Sequence, residues 1–366
     1  AGSGESNIRR YLLENDLVEA IIQLPTNLFY NTGIATYIWI LSNNKADQRK
    51  GKVQLIDASE KFQKLRKNLG ARNCELSPRQ IKEITDLYLT MAHDSIAKVF
   101  DNSDFGYYKV TVERPQRLAA QFTPERITPL RFASNLEEPM AWAYEQWSDG
   151  IYSELAQHKK EILKWLDDED INLTSKNRNR LFNRKTWEKQ QVLLETANKL
   201  MDTIGHNLFM DYNQFVKQVE ATLKDLEIKL SASEKKKILS AVSWREDGAE
   251  KVIKKIHHFN DNKLSALLIE LDCSKEDLQD FGYWSTDKLG EYIEYESDSD
   301  LRDTENVPLK ENIHQYFLRE VRPHVDEAWM NIEKTKIGYE ISFNKYFYKH
   351  KPLRSLDEVT QEILAL

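Results

Sequence analysis

Two apolar runs separated by a polar loop stand near the start of the chain. Leu17 to Leu24 is almost continuously apolar and includes β-branched residues, which is typical of a strand covered on both faces. The run from Ile34 to Leu41 is again apolar and predicts a second buried strand. The connection is too short for a crossover helix, so we expect antiparallel neighbours. Two such strands need a sheet that little preceding sequence can supply, so the chain is expected to be the tail of a larger fold.

The loop between these strands, Pro25 to Gly33, is too long for a tight hairpin turn. Longer loops on a rigid sheet are favoured places for binding residues. This loop carries two aromatic residues, Phe29 and Tyr30, followed by Asn31 and Thr32. We predict a candidate binding loop here, with a turn that leads into the second strand.

Flanking elements extend the predicted sheet. Ser3 can cap a short helix from Glu5 to Glu14, and Lys52 to Ile56 predicts a third strand. The apolar side of the helix would consist of Ile8, Tyr11, Leu12 and Leu17. Tyr108, Val110 and Val112 alternate with polar residues, which predicts a half-buried strand that ends before Pro115.

A basic cluster follows the third strand, with Lys61, Lys64, Arg66, Lys67 and Arg72 within twelve positions. Such a cluster could bind phosphates. The alternative is a solvated helix face that balances the acidic remainder of the chain, because charge runs usually lie in solvent. Both interpretations stay open on the sequence alone.

Ser77, Pro78 and Gln80 form a capping box with proline at the first helical position. A helix through Ala92 should follow it. That helix is predicted to bury Ile81, Ile84, Leu87, Tyr88 and Met91.

From about Pro139 onward the pattern changes to long amphipathic stretches, which predict helices. These are expected in Ala141 to Asp167 (one or two helices, broken near Gly150), Lys185 to Ile204, Asn213 to Leu230, Glu234 to Trp244 and Asn312 to Trp329. Residues 176–185 are strongly basic and could touch DNA phosphates, although a linker between helices is the favoured interpretation. Ser355 and Glu358 form a capping box that opens a terminal helix with an apolar side.

Composition limits the class of protein. The chain has 366 residues, enough for two or three domains, and a formal net charge of −7, so contact with nucleic acid must be local. The two cysteines are far apart, which indicates a reducing, cytoplasmic compartment and no metal site. Neither a membrane span nor a signal peptide is expected.

The usual enzyme motifs are absent from the sequence. It has no G-x-x-x-x-G-K-[ST], no H-E-x-x-H and no G-x-S-x-G. None of these usual enzyme classes is therefore indicated.

Several stretches resemble the modification subunit of type I restriction-modification systems. GESNIRRYLLENDLVEAIIQLPTNLFYNTGIATYIWILSNNK is similar to the closing part of its methyltransferase domain. KVQLIDASEKFQKLRKNLG, FGYYKVTVERPQR and, near the end, KIGYEISFNKYFYKHKPLRSLDEV are similar to later parts. The resemblance extends from about residue 4 to the end and is strongest in the first stretch.

This resemblance implies an adenine-specific DNA methyltransferase that moves a methyl group from S-adenosylmethionine to the exocyclic amino group of adenine. The family holds the cofactor at a glycine-containing turn and the amino group at an N-P-P-[FY] motif, and neither occurs here. The implied fold is an α/β N-terminal remnant, namely the last helix and last two strands of a Rossmann-like sheet plus extra strands, followed by a mainly α-helical C-terminal domain. We expect that the chain alone neither binds cofactor nor methylates.

The resemblance also implies a role for the loop. In this family an aromatic ring between the last two strands lies against the flipped-out adenine, and the matching position is Phe29, with Tyr30 as the alternative. Stacking on such a ring recovers roughly 1 to 3 kcal/mol for a flipped base. The other possibility is that either ring is plain core under the edge of the sheet.

The implied partners are DNA, the specificity subunit and the restriction subunit of the same system. The terminal stretch from Ser355 to Leu366 would dock on the specificity subunit, or else fold back on this chain. We expect three parts: 1–57, the end of the methyltransferase domain; 58–135, a mixed α/β extension; and 136–366, a helical assembly domain. A free-standing helical scaffold or DNA-binding module is the alternative function.

Overall fold

The computed structural model describes residues 1–348 and 356–364. The chain divides into two compact units. The first consists of Ala1–Val112, Asp303–Asp326 and Met330–Leu366, and the second of Glu113–Arg302 and Glu327–Trp329.

The described chain contains helices and strands, and all of its regular elements between residues 124 and 241 are helices. The helices are α1 (Gly4–Glu14), α2 (Pro78–Leu89), α3 (Pro124–Ile127), α4 (Glu137–Trp147), α5 (Ile151–Glu154), α6 (Lys159–Asp168), α7 (Ser175–Leu181), α8 (Arg184–Ile204), α9 (Tyr212–Asp225), α10 (Ala232–Ala241), α11 (Asp261–Leu271), α12 (Ile313–Glu320), α13 (Phe343–Phe347) and α14 (Leu356–Leu364). The strands are β1 (Val18–Leu24), β2 (Thr36–Leu41), β3 (Lys52–Asp57), β4 (Gln63–Leu69), β5 (Arg72–Glu75), β6 (Ala97–Asp101), β7 (Gly106–Glu113), β8 (Leu118–Ala120), β9 (Ser243–Arg245), β10 (Ile253–His258), β11 (Trp284–Ser285), β12 (Glu291–Tyr295), β13 (Asp303–Pro308) and β14 (Trp329–Tyr339).

The first unit is built on a four-stranded sheet in the order β2-β1-β3-β6. β1 pairs antiparallel with β2, as predicted, and parallel with β3. Most of β1 is buried, which confirms the reading of its apolar run. β3 is confirmed as the third strand, and its other neighbour β6 is antiparallel.

The expectation that β2 is a buried strand is wrong. β2 lies at the edge of the sheet, and its side chains Tyr37, Ile38, Trp39 and Leu41 are between 40 and 53% exposed. Apolar composition predicted burial correctly for β1, which has a strand on each side, but composition does not reveal whether a covering element is present.

Helix α1 begins where the sequence predicts, with the Ser3 hydroxyl accepting from the backbone N–H of Ser6. Its buried face differs from the prediction, because Ile8 and Tyr11 are more than 60% exposed whereas Leu13 is buried. Leu13 joins a core formed with the sheet and with the C-terminal part of the unit. The buried members of that core are Leu13, Val18, Ile21, Val53, Leu55, Phe105, Tyr339 and Phe343.

The capping box at Ser77 is confirmed, with Gln80 as its third residue and Pro78 at the first helical position. The resulting helix α2 ends at Leu89, three residues earlier than expected. It buries Ile84 against the sheet, but Ile81 is half exposed. β7 is confirmed as a strand before Pro115, and it is the middle strand of a sheet in the order β13-β7-β14. It is not half-buried as predicted, because Thr111 and Glu113 on its polar side are buried as well.

The second unit contains most of the amphipathic helices that the sequence predicts. α8 agrees closely with the predicted range, and α4 to α6 occupy the stretch with the predicted break near Gly150. α9 ends at Asp225, five residues before the predicted end, and α10 ends at Ala241, so that Trp244 lies in β9 and not in a helix. Trp187 of α8 is fully buried, and its indole N–H donates to the carbonyl of Leu181 at 2.8 Å. This bond satisfies the polar atom of a core tryptophan.

The C-terminal segment is less helical than expected. The strands β9 to β14 lie between residues 243 and 339. The helix predicted from Asn312 to Trp329 ends at Glu320, and Trp329 begins β14. The class of the fold is therefore mixed α/β.

None of the described helices is long and apolar enough to cross a membrane.

Candidate functional site

The loop after β1 closes in a tight turn over residues 29–32. The backbone N–H of Thr32 donates to the carbonyl of Phe29 at 3.4 Å, and the Thr32 hydroxyl donates to the carbonyl of Tyr30 at 3.3 Å. Asn31 has a φ of +56°, a conformation that asparagine adopts more readily than most residues. The turn therefore holds Phe29 and Tyr30 at its tip, where they are 48% and 59% exposed. Neither ring is core.

The basic stretch after β3 is not a helix. Its residues form the β4–β5 hairpin, which we call the basic hairpin (residues 63–75). The two-residue connection begins with Gly70 at a φ of +64°, a position that favours glycine in hairpin turns. Helix-forming residues dominate β4, so local propensity favours a helix there. The residues form a strand instead, because the turn and the contacts of β5 outweigh that propensity.

The basic hairpin is bound to the loop through its second strand. The backbone N–H of Asn73 donates to the carbonyl of Asn27 at 3.1 Å. The Cys74 thiol lies 3.2 Å from the carbonyl of Thr26 and is almost fully buried, and this burial raises the pKa of the thiol. These contacts bring together the two regions that the sequence singled out separately.

A cation lies over one of the two loop aromatics. The Arg72 guanidinium is 5.7 Å from the centroid of the Tyr30 ring, within the range of a cation–π interaction. Arg72 is also 3.6 Å from a Glu75 carboxylate oxygen. Among the residues that the structure describes, Phe29 contacts neither a cation nor a second ring. Arg72 therefore distinguishes the two aromatics, which the sequence alone did not.

Three predicted basic residues lie on β4 in an irregular part of the hairpin. Lys64 pairs with Cys74 and Leu69 pairs with Arg72, so five steps along β4 match two along β5. The extra residues bulge from the ladder and include Arg66 and Lys67. Lys64, Arg66 and Lys67 are exposed, and none forms an ion pair within the described residues.

Lys61, the fourth predicted basic residue, lies before the hairpin and is already paired. Its Nζ is 3.1 Å from a Glu83 carboxylate oxygen of α2, and Arg79 binds the other oxygen at 3.0 Å. The hydrogen bond from Lys61, followed by that from Arg79, lowers the pKa of Glu83. Lys61 is therefore less available to a ligand than the three cations on β4.

The placement of the loop suits ligand binding. It follows the carboxyl end of β1, which pairs parallel with β3, and ligands of open α/β sheets bind beyond the carboxyl ends of parallel strands. An exposed aromatic turn beside unpaired cations can stack a base and contact phosphates. Sequence reasoning predicted the aromatics and the cations but not the roles of Asn27 and Arg72, because no local pattern indicates that the hairpin packs on the loop.

The described residues form no cradle for a nucleotide-like cofactor at this sheet. β1 continues into Pro25, and β3 continues into a short turn in which Asp57 accepts from the backbone N–H of Ser59 at 3.0 Å. Neither parallel strand leads through a glycine-rich turn into a helix, as cofactor binding in such folds requires. S-adenosylmethionine therefore does not fit the described residues of this sheet.

Comparison with known proteins finds similarity to a methylase family in the first part of the chain. Residues 1–115 match the N-6 DNA Methylase family. The chain is 29% identical over 174 residues to the type I restriction enzyme MjaIX methylase subunit of Methanocaldococcus jannaschii, an alignment that covers 46% of this chain and 27% of that protein. It is 40% identical over 84 residues to the MpnII methylase subunit of Mycoplasma pneumoniae, covering 23% of this chain and 14% of that protein.

A solved structure gives a similar result at the level of sequence. The methyltransferase subunit of a type I restriction-modification system from Streptococcus thermophilus is 31% identical, covers 29% of this chain and 21% of its own chain, and has a TM-score of 0.25. The chain spans about a quarter or less of the length of the curated relatives named above. The resemblance to type I modification subunits is confirmed, and the partial coverage is consistent with a fragment of such a subunit.

Proposed function

We propose that this chain, which is similar to parts of type I methylase subunits, is part of a DNA methyltransferase that methylates the exocyclic amino group of adenine. In that role it contributes a loop for the target base, contacts to DNA and a docking region. The observation that carries the proposal is the exposed aromatic turn at residues 29–32, bound to the basic hairpin, within the segment that matches the N-6 DNA Methylase family.

The exposed edge of the sheet supports the view that α1, β1 and β2 are the last elements of a larger sheet. β2 presents apolar side chains on both faces and leaves one backbone edge without a neighbour among the described strands. Proteins normally avoid such edges because they pair with other chains. We propose that a further strand of the longer protein covers β2.

The cofactor belongs to the longer protein in this proposal. The family's glycine turn and N-P-P-[FY] motif are not in the sequence, and the described sheet has no cradle for S-adenosylmethionine. The chain alone should therefore be inactive, with no catalytic residue of its own.

Phe29 is the ring that we propose for stacking on the flipped adenine, with Tyr30 as the alternative. The face of Tyr30 is engaged by Arg72, whereas the ring of Phe29 is exposed at the tip of the same turn. An aromatic face replaces the stacking that a flipped base loses, roughly 1 to 3 kcal/mol. Lys64, Arg66 and Lys67, and to a smaller extent Lys61, would contact the neighbouring phosphates.

Assembly is the second role. The relatives are subunits of type I systems, so we propose DNA, the specificity subunit and the restriction subunit as partners, in the cytoplasm. Ile363 and Leu364 of α14 are 65% and 81% exposed, which supports docking of this helix on the specificity subunit. The predicted cap Ser355 and the last residue Leu366 lie outside the described residues. The division into 1–57, 58–135 and 136–366 remains our proposal for how these roles are distributed.

Methyl transfer to DNA tests the proposal. With radiolabelled S-adenosylmethionine, the complete subunit together with its specificity subunit should label DNA, and this chain alone should not. Labelling by the chain alone would overturn the assignment of the cofactor site to the longer protein. A complete assembly that binds DNA and S-adenosylmethionine but labels no adenine would overturn the proposed activity.

A further inference from the structure

Two adjoining cavities lie between α7, α8 and α10 of the second unit, and we call them the α8 groove. The first has a volume of about 410 Å³ and the second of about 450 Å³. Both are lined by Gln190 and Lys237, so the two cavities are adjacent. The basic residues that line them are Arg180, Lys185, Lys189, Lys236 and Lys237.

The charge of the α8 groove is opposite to that of the chain. Five cations and one carboxylate, that of Glu137, line it, whereas the whole chain has a net charge of −7. Arg180 is held by a hydrogen bond from its Nη1 to the Asn135 amide oxygen at 2.9 Å. A local concentration of one charge in a concave surface attracts ligands of the other sign.

The lysines of the α8 groove are not neutralised by ion pairs. Within the described residues, Lys185, Lys189, Lys236 and Lys237 form none. Glu234 is near Lys189 and Lys237, but hydrogen bonds with Ser231 are the main cause of its lowered pKa, and the two lysines contribute less. The carboxylate of Glu234 thus accepts hydrogen bonds in the capping box of α10.

Helix α8 places its positive groups together at its own start. Lys185 and Lys189 are four residues apart and share one face, a spacing at which like charges destabilise a helix. The 21-residue helix begins beside them at Arg184, so the positive end of its dipole adds to their field. Two like charges that destabilise a helix are expected at a binding site, because a negatively charged ligand there neutralises the two lysines.

We propose that the α8 groove binds phosphate groups of a nucleic-acid backbone, as a second DNA contact of this chain. Cations spread over two successive cavities suit successive phosphates, and Pro129, Leu130 and Phe132 give the second cavity an apolar wall for sugars and bases. The basic segment 176–185, which the sequence favoured as a linker, forms α7 and the start of α8 and supplies Arg180 and Lys185. The choice of nucleic acid over a free phosphate rests on the proposed function.

Salt-dependent binding of a fluorescent DNA duplex to the full chain tests this inference. The variant K185Q/K189Q/K237Q should weaken binding about tenfold or more and reduce the slope of log K against log salt by roughly three, since each lost phosphate contact removes about 0.9. The matched control K217Q/K224Q removes exposed lysines from α9 and should leave the slope nearly unchanged. The variant K185R/K189R/K237R, which keeps the charge, should bind like the wild type.

The outcomes separate this inference from the proposed function. An unchanged salt slope in K185Q/K189Q/K237Q would overturn the inference that the α8 groove binds DNA. If K64Q/R66Q/K67Q loses DNA affinity in the same experiment, the basic hairpin is then the DNA contact. If the wild-type groove binds ATP or inorganic phosphate and the triple variant loses only that binding, the nucleic-acid inference is overturned in favour of a free phosphate ligand. Unfolding curves of each variant show whether a loss reflects the fold.

Discussion

The Arg72 guanidinium lies 5.7 Å over the ring of Tyr30 and connects the basic hairpin to the loop after β1. This contact joins two parts of the chain that are about forty residues apart. It places exposed cations next to exposed aromatics, and it leaves Phe29 as the ring at the loop tip that no described cation covers. The basic hairpin and the aromatic loop therefore form one surface.

Unpaired cations on β4 should dominate the DNA contacts of this surface. The variant K64Q/R66Q/K67Q is expected to lower DNA affinity and to reduce the salt slope by roughly three. Lys61 provides the control, because its ion pair with Glu83 already neutralises it, so K61Q should change the slope by less than one. Fluorescence anisotropy of labelled DNA across salt concentrations measures both. Equal effects per charge for the two variants would argue against a specific role of β4.

The turn of the basic hairpin depends on a left-handed residue. Gly70 has a φ of +64°, so G70V should lower the free energy of unfolding by about 1 to 2 kcal/mol and weaken DNA binding. G4A is the matched control, because a Cβ at Gly4 meets nothing within 4 Å and α1 accepts alanine. Denaturant unfolding measures the difference. An unchanged free energy of unfolding in G70V would show that the hairpin turn tolerates another conformation.

The partly buried ion pair between Asp16 and Lys45 should be a determinant of stability in the first unit. The Lys45 Nζ lies 2.6 Å from Asp16 Oδ1, and the lysine side chain is only 2% exposed. D16N leaves that ammonium without a counter-charge, so we expect a loss of about 2 to 4 kcal/mol. D47N, which removes the exposed partner of Lys50, should stay within about 0.5 kcal/mol.

The same pair gives a dependence on pH. Burial raises the pKa of Asp16, but hydrogen bonds from Lys45, Gly51 and Asn102 outweigh it and lower the pKa below its ordinary value. The stabilisation is therefore complete above the unfolded pKa of about 3.9 and is lost as pH falls through the lower folded value. Wild type and D16N should converge in stability in that acidic range. A constant difference down to low pH would contradict the assignment.

The edge strand β2 should make the isolated chain self-associate. Ile38 is 46% exposed on an unpaired edge, so I38K should reduce concentration-dependent association by adding a charge to that edge. L289K alters a residue that is 98% exposed outside the sheet and should have no effect. Sedimentation velocity over a range of concentrations distinguishes them. Wild-type chain that stays monomeric at high concentration would remove this prediction.

Sequence patterns predicted the helices and strands themselves better than their burial and tertiary contacts. β1, the α2 capping box and α8 follow from apolar runs and capping residues, which act within a few positions. The exposure of β2 could not be derived in this way, because it depends on which strand lies beside it. The hairpin at residues 63–75 could not be derived either, because it depends on Asn73 meeting Asn27. Short strands such as β9 and β11 have too few residues to show a period. For the site, residue types were predictable, but the pairing of Arg72 with Tyr30 and of Lys61 with Glu83 was not.

The rate of adenine methylation by the complete subunit carrying F29A tests the central claim most directly. The assembly with its specificity subunit, assayed in single turnover, should lose about fivefold to 150-fold in rate, as the loss of roughly 1 to 3 kcal/mol of stacking implies. F29W should retain most of the rate, and Y30A should have a smaller effect than F29A. Wild-type rates and wild-type DNA affinity in both F29A and Y30A would contradict the account and remove the loop from the site of the target base.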